Sequence, residues 1–104
     1  MRVAIPVMEG RLAVDFDDFK QVSMIDTVNQ EIGQQQILTP PLIESWILLH
    51  WLQEYNVDVI IAGRMNERVV GLFQNAGIKV ITGASIVSPV DLVRRYLTDT
   101  SVTD

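Results

Sequence analysis

Val57-Asp58-Val59-Ile60-Ile61-Ala62-Gly63 is the stretch that decides the fold. Four of its residues are β-branched, its single charge comes early, and a glycine ends it. A run this continuously apolar reads as a strand covered on both faces, which is the setting of a central parallel strand. Parallel strands need crossover connections, so helical patterns should flank it.

They do. Downstream, Gly63-Arg64-Met65-Asn66 forms a loop and Asn66 is a good N-cap for a helix over Glu67–Asn75, with Val69, Val70, Leu72 and Phe73 as its buried stripe. Ala76-Gly77 ends that helix. Ile78–Thr82 reads as another buried strand, followed by the small-residue loop Gly83-Ala84-Ser85. Ser88 caps a last helix, with Pro89 at its first position and Val90, Val93 and Leu97 inward. Upstream, Pro41 suits the first position of a helix over Leu42–Tyr55, which Asn56 caps. Leu42, Trp46, Leu49 and Leu52 share one face, and Ile43, Ile47 and Trp51 widen it. A helix apolar nearly all round is expected to be buried on several sides or to touch a partner.

At the front, Arg2–Met8 reads as a buried strand ending at the Glu9-Gly10 turn, with Pro6 marking its exit or a bulge because proline cannot donate to a ladder. Leu12–Asp18 is acidic and irregular. Phe19–Val28 and Glu31–Leu38 form a hairpin about Asn29-Gln30. The second of these strands, with Gly33 and Gln34-Gln35-Gln36, belongs at an edge. The order is β-β-β-α-β-α-β-α, an α/β fold on a mixed five-stranded sheet. Ligands bind such sheets at the carboxyl ends of the parallel strands, here the loops Gly63–Asn66 and Gly83–Ser85, with the Met8–Gly10 turn as neighbour.

A chain of 104 residues with a 48% hydrophobic fraction suits one domain. It should span residues 1–97, followed by a short polar tail, 98–104, expected to be flexible. With no cysteine, disulfides and thiolate ligands are excluded, and a reducing cytoplasm is the expected setting. No stretch reaches the roughly 18 apolar residues of a membrane span, and the N-terminus lacks the pattern of a signal peptide. A net charge of −5 makes general nucleic-acid binding unfavourable. A monomer or weak homodimer is expected.

Several stretches resemble the dinitrogenase iron–molybdenum cofactor biosynthesis family. Val57–Gly63 is similar to that family's V-D-V-V-I-A-G, and Met1-Arg2-Val3-Ala4-Ile5-Pro6-Val7 to its first strand. Asn75–Ala84, N-A-G-I-K-V-I-T-G-A, resembles its second αβ unit, and Val90–Leu97, V-D-L-V-R-R-Y-L, its closing helix. The resemblance spans residues 1–97. It implies a ribonuclease H-like three-layer sandwich and a carrier of anionic metal–sulfur clusters of the iron–molybdenum or molybdenum–copper kind. Three stretches depart from the family pattern. Asp15-Phe16-Asp17 stands where many members have His-Phe-Gly, Ile43-Glu44-Ser45-Trp46 where many have His-Glu-Pro-Gly, and Gly63-Arg64-Met65-Asn66 where many have Gly-Gly-Met-Gly. Both family histidines are thus absent.

Gly63-Arg64-Met65-Asn66 is the leading candidate for binding. An anionic cluster needs donors and positive charge, and the helix starting after Asn66 aims backbone N–H groups and the positive end of its dipole into this loop. Arg64 and Arg68 add charge-assisted hydrogen bonds, and Met65 a soft thioether. The plainer reading is an ordinary strand-to-helix turn with Arg64 solvated and Met65 packed. His50, the only histidine, has no partner at metal-ligand spacing and reads as a packed or surface residue. Asp15, Asp17 and Asp18 read as a solvated loop rather than a hard-cation site, and Asp15 repels an anion. Trp46 and Trp51 lie five apart and cannot share a helix face; both in the core is the plain expectation, whereas an exposed one points to a protein contact. Nuclease chemistry is disfavoured because Val3–Val7 carries no carboxylate.

Two functions follow. The first is a non-catalytic binder or carrier that captures a cluster among Met8, Gly10, Gly63, Arg64, Met65, Asn66, Arg68, Gly83 and Ala84 and passes it between a donor and an acceptor protein. The second is a divergent relative without a cluster, acting as a protein-interaction or regulatory module.

Overall fold

The computed structural model describes residues 1–16, 19–41 and 44–102, with side chains as far as Thr98. Asp17 and Asp18 of the acidic cluster, the expected helix start at Leu42-Ile43 and the last two residues of the tail lie outside the described residues.

The elements are β1 (Arg2–Met8), β2 (Arg11–Leu12), β3 (Gln21–Val28), β4 (Glu31–Leu38), α1 (Ser45–Glu54), β5 (Val59–Ile61), α2 (Glu67–Asn75), β6 (Lys79–Ile81) and α3 (Pro89–Val102). Five strands lie in the order β4-β3-β1-β5-β6, and the short β2 pairs with β1 to make a six-stranded sheet. β5 is parallel to both β1 and β6, as its sequence requires, while β3 and β4 are antiparallel. β4 is an edge strand, and its glutamines leave it mostly exposed. The sixth strand was not legible as one. Glu9 and Gly10 have φ of 54° and 81°, the tight mirror-image turn that folds a chain straight back, so Arg11 pairs with Met8 at once. Asn29 and Gln30 (φ 54° and 66°) make the same kind of turn between β3 and β4.

Pro6 is accommodated by geometry. The parallel pairing of β1 with β5 stops at Ala4, and the Pro6 carbonyl instead accepts the Ala13 N–H at 3.0 Å. No ladder donor is needed from Pro6 on that side.

The two faces of the sheet carry separate cores. Ala4, Val22, Met24 and Ile60 pack with Leu48, Leu49 and Leu52 of α1 and Phe73 of α2. Val3, Ile5, Ile25, Val59 and Ile61 face Leu92 and Val93 of α3. The result is a three-layer α/β sandwich.

Helix ends follow local chemistry. The Asn66 side chain accepts the Arg68 N–H at 2.8 Å, and Ser88 Oγ the Asp91 N–H at 3.3 Å. α1 and α2 close identically. Asn56 (φ 57°) and Gly77 (φ 89°) turn left-handed, their N–H groups reach Gln53 and Gln74, and the next residues, Val57 and Ile78, donate back to Leu52 and Phe73 at 3.1 Å. Each such motif sets the residue after the turn into the core beside the residue it bonds.

Three details differ from the sequence reading. α1 begins at Ser45, because Glu44 is still extended (ψ 137°) and its carbonyl takes the first helical bond, from Leu48 N. Pro41 is therefore outside the helix. Trp46 is 64% exposed while Trp51 is half-buried against Tyr55, so the tryptophans are not both in the core and α1 is not covered all round. α3 continues past Leu97 to Val102, since backbone helix bonds need no apolar stripe; Thr98 Oγ1 also donates to the Arg94 carbonyl at 2.9 Å.

Candidate functional site

Gly63 fixes the geometry where β5 ends. A Cβ there would collide with the Val14 carbonyl oxygen and stand 2.7 Å from that of Ala13. Only glycine lets these backbones meet, which is why a strand otherwise β-branched ends this way. The contact is stitched on both sides. Arg64 N donates to Val14 O at 2.8 Å, and Phe16 N to Arg64 O at 2.9 Å, a parallel bridge between Asp15 and Arg64. Gly83 N donates to Gly63 O at 2.9 Å and Ala84 N to Ala62 O at 3.2 Å. Three chain segments, Val14–Phe16, Gly63–Met65 and Gly83-Ala84, thus lie side by side at the carboxyl end of the parallel strands.

Two adjoining clefts open there. One is lined by Gly63, Arg64, Met65, Gly83 and Ala84 together with Val14, Thr82 and Ile86. The other is lined by Arg64, Met65, Asn66 and Arg68 with Asp15, Phe16 and Glu67. Seven expected residues therefore come together. Met8 and Gly10 line neither cleft: the segment from Ala13 to Phe16 stands beside Gly63, and the Met8–Gly10 turn precedes it.

Charge in the second cleft is balanced. Arg64 Nε lies 2.7 Å from Asp15 Oδ1, its side chain 76% exposed, and Glu67 precedes the exposed Arg68 in the first turn of α2. An acid in a first turn suits the helix dipole but opposes an incoming anion. Met65 is half-buried and packs on the core while its surroundings open to both clefts. His50 is exposed on α1, and among the described residues no group of three His, Cys, Asp or Glu is placed to hold a metal ion. What this junction offers a ligand is backbone N–H groups at a helix start, two guanidinium groups and one thioether.

Val14, Asp15, Phe16, Thr82 and Ile86 escaped the sequence reading as lining residues. The one usable signal was Gly63, whose place at the end of a buried strand implies a close backbone neighbour. Which segment approaches depends on the β1–β2 turn.

The family model for dinitrogenase iron-molybdenum cofactor matches residues 1–99. Among solved structures, that of PH0822 is similar with a TM-score of 0.86 at 19% identity, over 95% of this chain and 90% of the other. The crystal structure of MJ0327 from Methanocaldococcus jannaschii is similar with a TM-score of 0.74 at 18% identity, over 95% of this chain and 89% of the other. At these identities the likeness concerns the fold. No curated protein matches the sequence.

Proposed function

Because the chain belongs to the dinitrogenase iron-molybdenum cofactor family, we propose that it binds an anionic metal–sulfur cluster at the junction of Val14–Phe16, Gly63–Arg68 and Gly83-Ala84, and carries it to a partner without catalysis. The observation that carries this reading is the convergence of Arg64, Met65, the α2 start and the Gly83-Ala84 turn on adjoining clefts. With no three-ligand set among the described residues, the cluster would be held as a whole anion, by hydrogen bonds and charge. Arg64 would leave Asp15 for the cluster. An exposed ion pair is worth only about 0–1 kcal/mol, so that exchange costs little. Met65 would offer a weak sulfur contact that releases readily. Weak, exchangeable contacts suit a carrier rather than a permanent holder.

The second reading, an interaction module without a cluster, draws support from Trp46, which is 64% exposed on α1, and from the absence of both family histidines.

Anaerobic titration with tetrathiomolybdate plus copper, and separately with isolated iron–molybdenum cofactor, followed by gel filtration and metal analysis, tests the first reading. Stoichiometric metal that co-elutes with the wild type and is lost in Arg64→Ala supports it. No retained metal with either cluster removes it and leaves the interaction module.

A further inference from the structure

A second groove lies on the α3 face of the sheet, on the far side of the Gly83-Ala84 turn. The register Val59↔Lys79 and Ile61↔Ile81 puts Lys79 and Ile81 on the face that α3 covers. Buried Ile61 and Leu92 floor the groove, Arg95 and Tyr96 of α3 wall it, and Thr82 and Ser85 stand at its end. Lys79 Nζ lies 5.4 Å from the centre of the Tyr96 ring, which holds the ammonium over the groove.

The charge here runs against the rest of the molecule. The chain has 13 acidic and 8 basic residues, yet among the described residues no acidic one lines this groove. Arg2, Arg64 and Arg94 each have a carboxylate partner, whereas Lys79 and Arg95, like Arg11, Lys20 and Arg68, form no ion pair among the described residues; what sets Lys79 and Arg95 apart is that both line one groove. Asp58, the nearest acid in sequence to the Lys79 pairing, is committed to the Arg2 N–H at 2.8 Å. A lysine on an edge strand also discourages strand addition. That accounts for Lys79 but not for Arg95 on the helix opposite.

We propose that this groove binds a small phosphorylated organic molecule. Two cations match the charge of a phosphate monoester, and a guanidinium fork grips two of its oxygens. The Thr82 and Ser85 hydroxyls supply further donors, and Gly83 (φ 70°), with nothing within 4 Å of where its Cβ would be, leaves the mouth open. The Ile61, Ile81 and Leu92 floor gives an apolar or aromatic body a surface to cover, which inorganic phosphate would not use. The groove shares Thr82, Gly83 and Ala84 with the cleft proposed for the cluster, but its two cations are its own, and Arg64, Met65 and Arg68 do not line it.

The test is a heteronuclear NMR titration of the full chain with phenyl phosphate and, separately, inorganic phosphate. Saturable shifts are expected at the amides of Lys79–Ser85 and Arg95-Tyr96, with inorganic phosphate at least tenfold weaker. Lys79→Gln and Arg95→Gln, both at exposed positions, should each weaken phenyl phosphate at least tenfold, while Arg64→Ala leaves it unchanged. The proposal is overturned by an absence of saturable shifts, by shifts centred on Arg64–Arg68, by equal affinity for inorganic phosphate, or by indifference to both charge-removing variants.

Discussion

Arg64 and Asp15 meet twice, through a parallel backbone bridge and through a 2.7 Å contact between Nε and Oδ1. The backbone meeting holds the segment after β2 against the end of β5. The side-chain meeting neutralises the cation best placed to receive an anion. These roles are separable by mutation.

Arg64→Ala should leave the urea-unfolding free energy within about 0.5 kcal/mol of wild type, because the side chain is 76% exposed and the backbone bonds persist. Asp15→Asn should raise the affinity for an anionic cluster, most at low salt, by releasing Arg64 and removing a like charge. Paired metal-retention and unfolding measurements check this; an Asp15→Asn protein that retains less metal than wild type would count against the placement of Arg64 in the site.

Gly63→Ala should destabilise the protein by roughly 1–3 kcal/mol or more, since the added carbon meets backbone rather than a yielding side chain. Gly10→Ala meets nothing within 4 Å but must hold φ 81°, so its cost should be about 1–2 kcal/mol. Chemical denaturation of both variants distinguishes a collision from strain alone. In Gly63→Ala, the amide signals of Val14–Phe16 should move most.

Phe73 is fully buried, and its ring meets Phe16 edge-on at 5.9 Å between centroids. It joins α2 to the segment beside Gly63. Phe73→Ala should therefore cost about 3–5 kcal/mol, read from the denaturation midpoint, and should loosen the site as well as the core.

The Asp26 carboxyl is held below its ordinary range, chiefly by hydrogen bonds from Arg2 at 2.7 and 3.2 Å; partial burial opposes this, while the Arg2 charge and the N-terminal ammonium reinforce it. A lowered folded value means the stabilisation is full above the unfolded carboxyl pKa of about 4 and is lost as pH falls through the folded value. Asp26→Asn should be less stable than wild type at pH 7, and the gap should narrow below about pH 4. Denaturation midpoints across that range test it: a gap that stays constant with pH would show that the ion pair is not its source.

Much of this architecture was legible because its causes are local. Hydrophobic period separated strands from helices, and Val57–Ala62 could only be a strand covered on both faces. Asn66 and Ser88 marked helix starts through their own side chains. Edge placement of β4 followed from its glutamines. The two-residue β2 was not legible, for two residues carry no period. Nor was the start of α1, since Pro41 suits both a helix's first turn and the extended stretch before it.

The sequence by itself determined the order of every element except β2, the parallel character of β5 and the identity of the loops at its carboxyl end, because each depends on neighbours a few residues apart. Only the tertiary structure decided what those loops touch. The mirror-image turn at Glu9-Gly10 sends the chain back along β1, which brings Val14 onto Gly63 and Asp15 onto Arg64, some fifty residues away. The β5–β6 register and the docking of α3 set Lys79 and Arg95 across one groove. Charge pairing and charge isolation depend on distance in space, and no pattern along the chain encodes them.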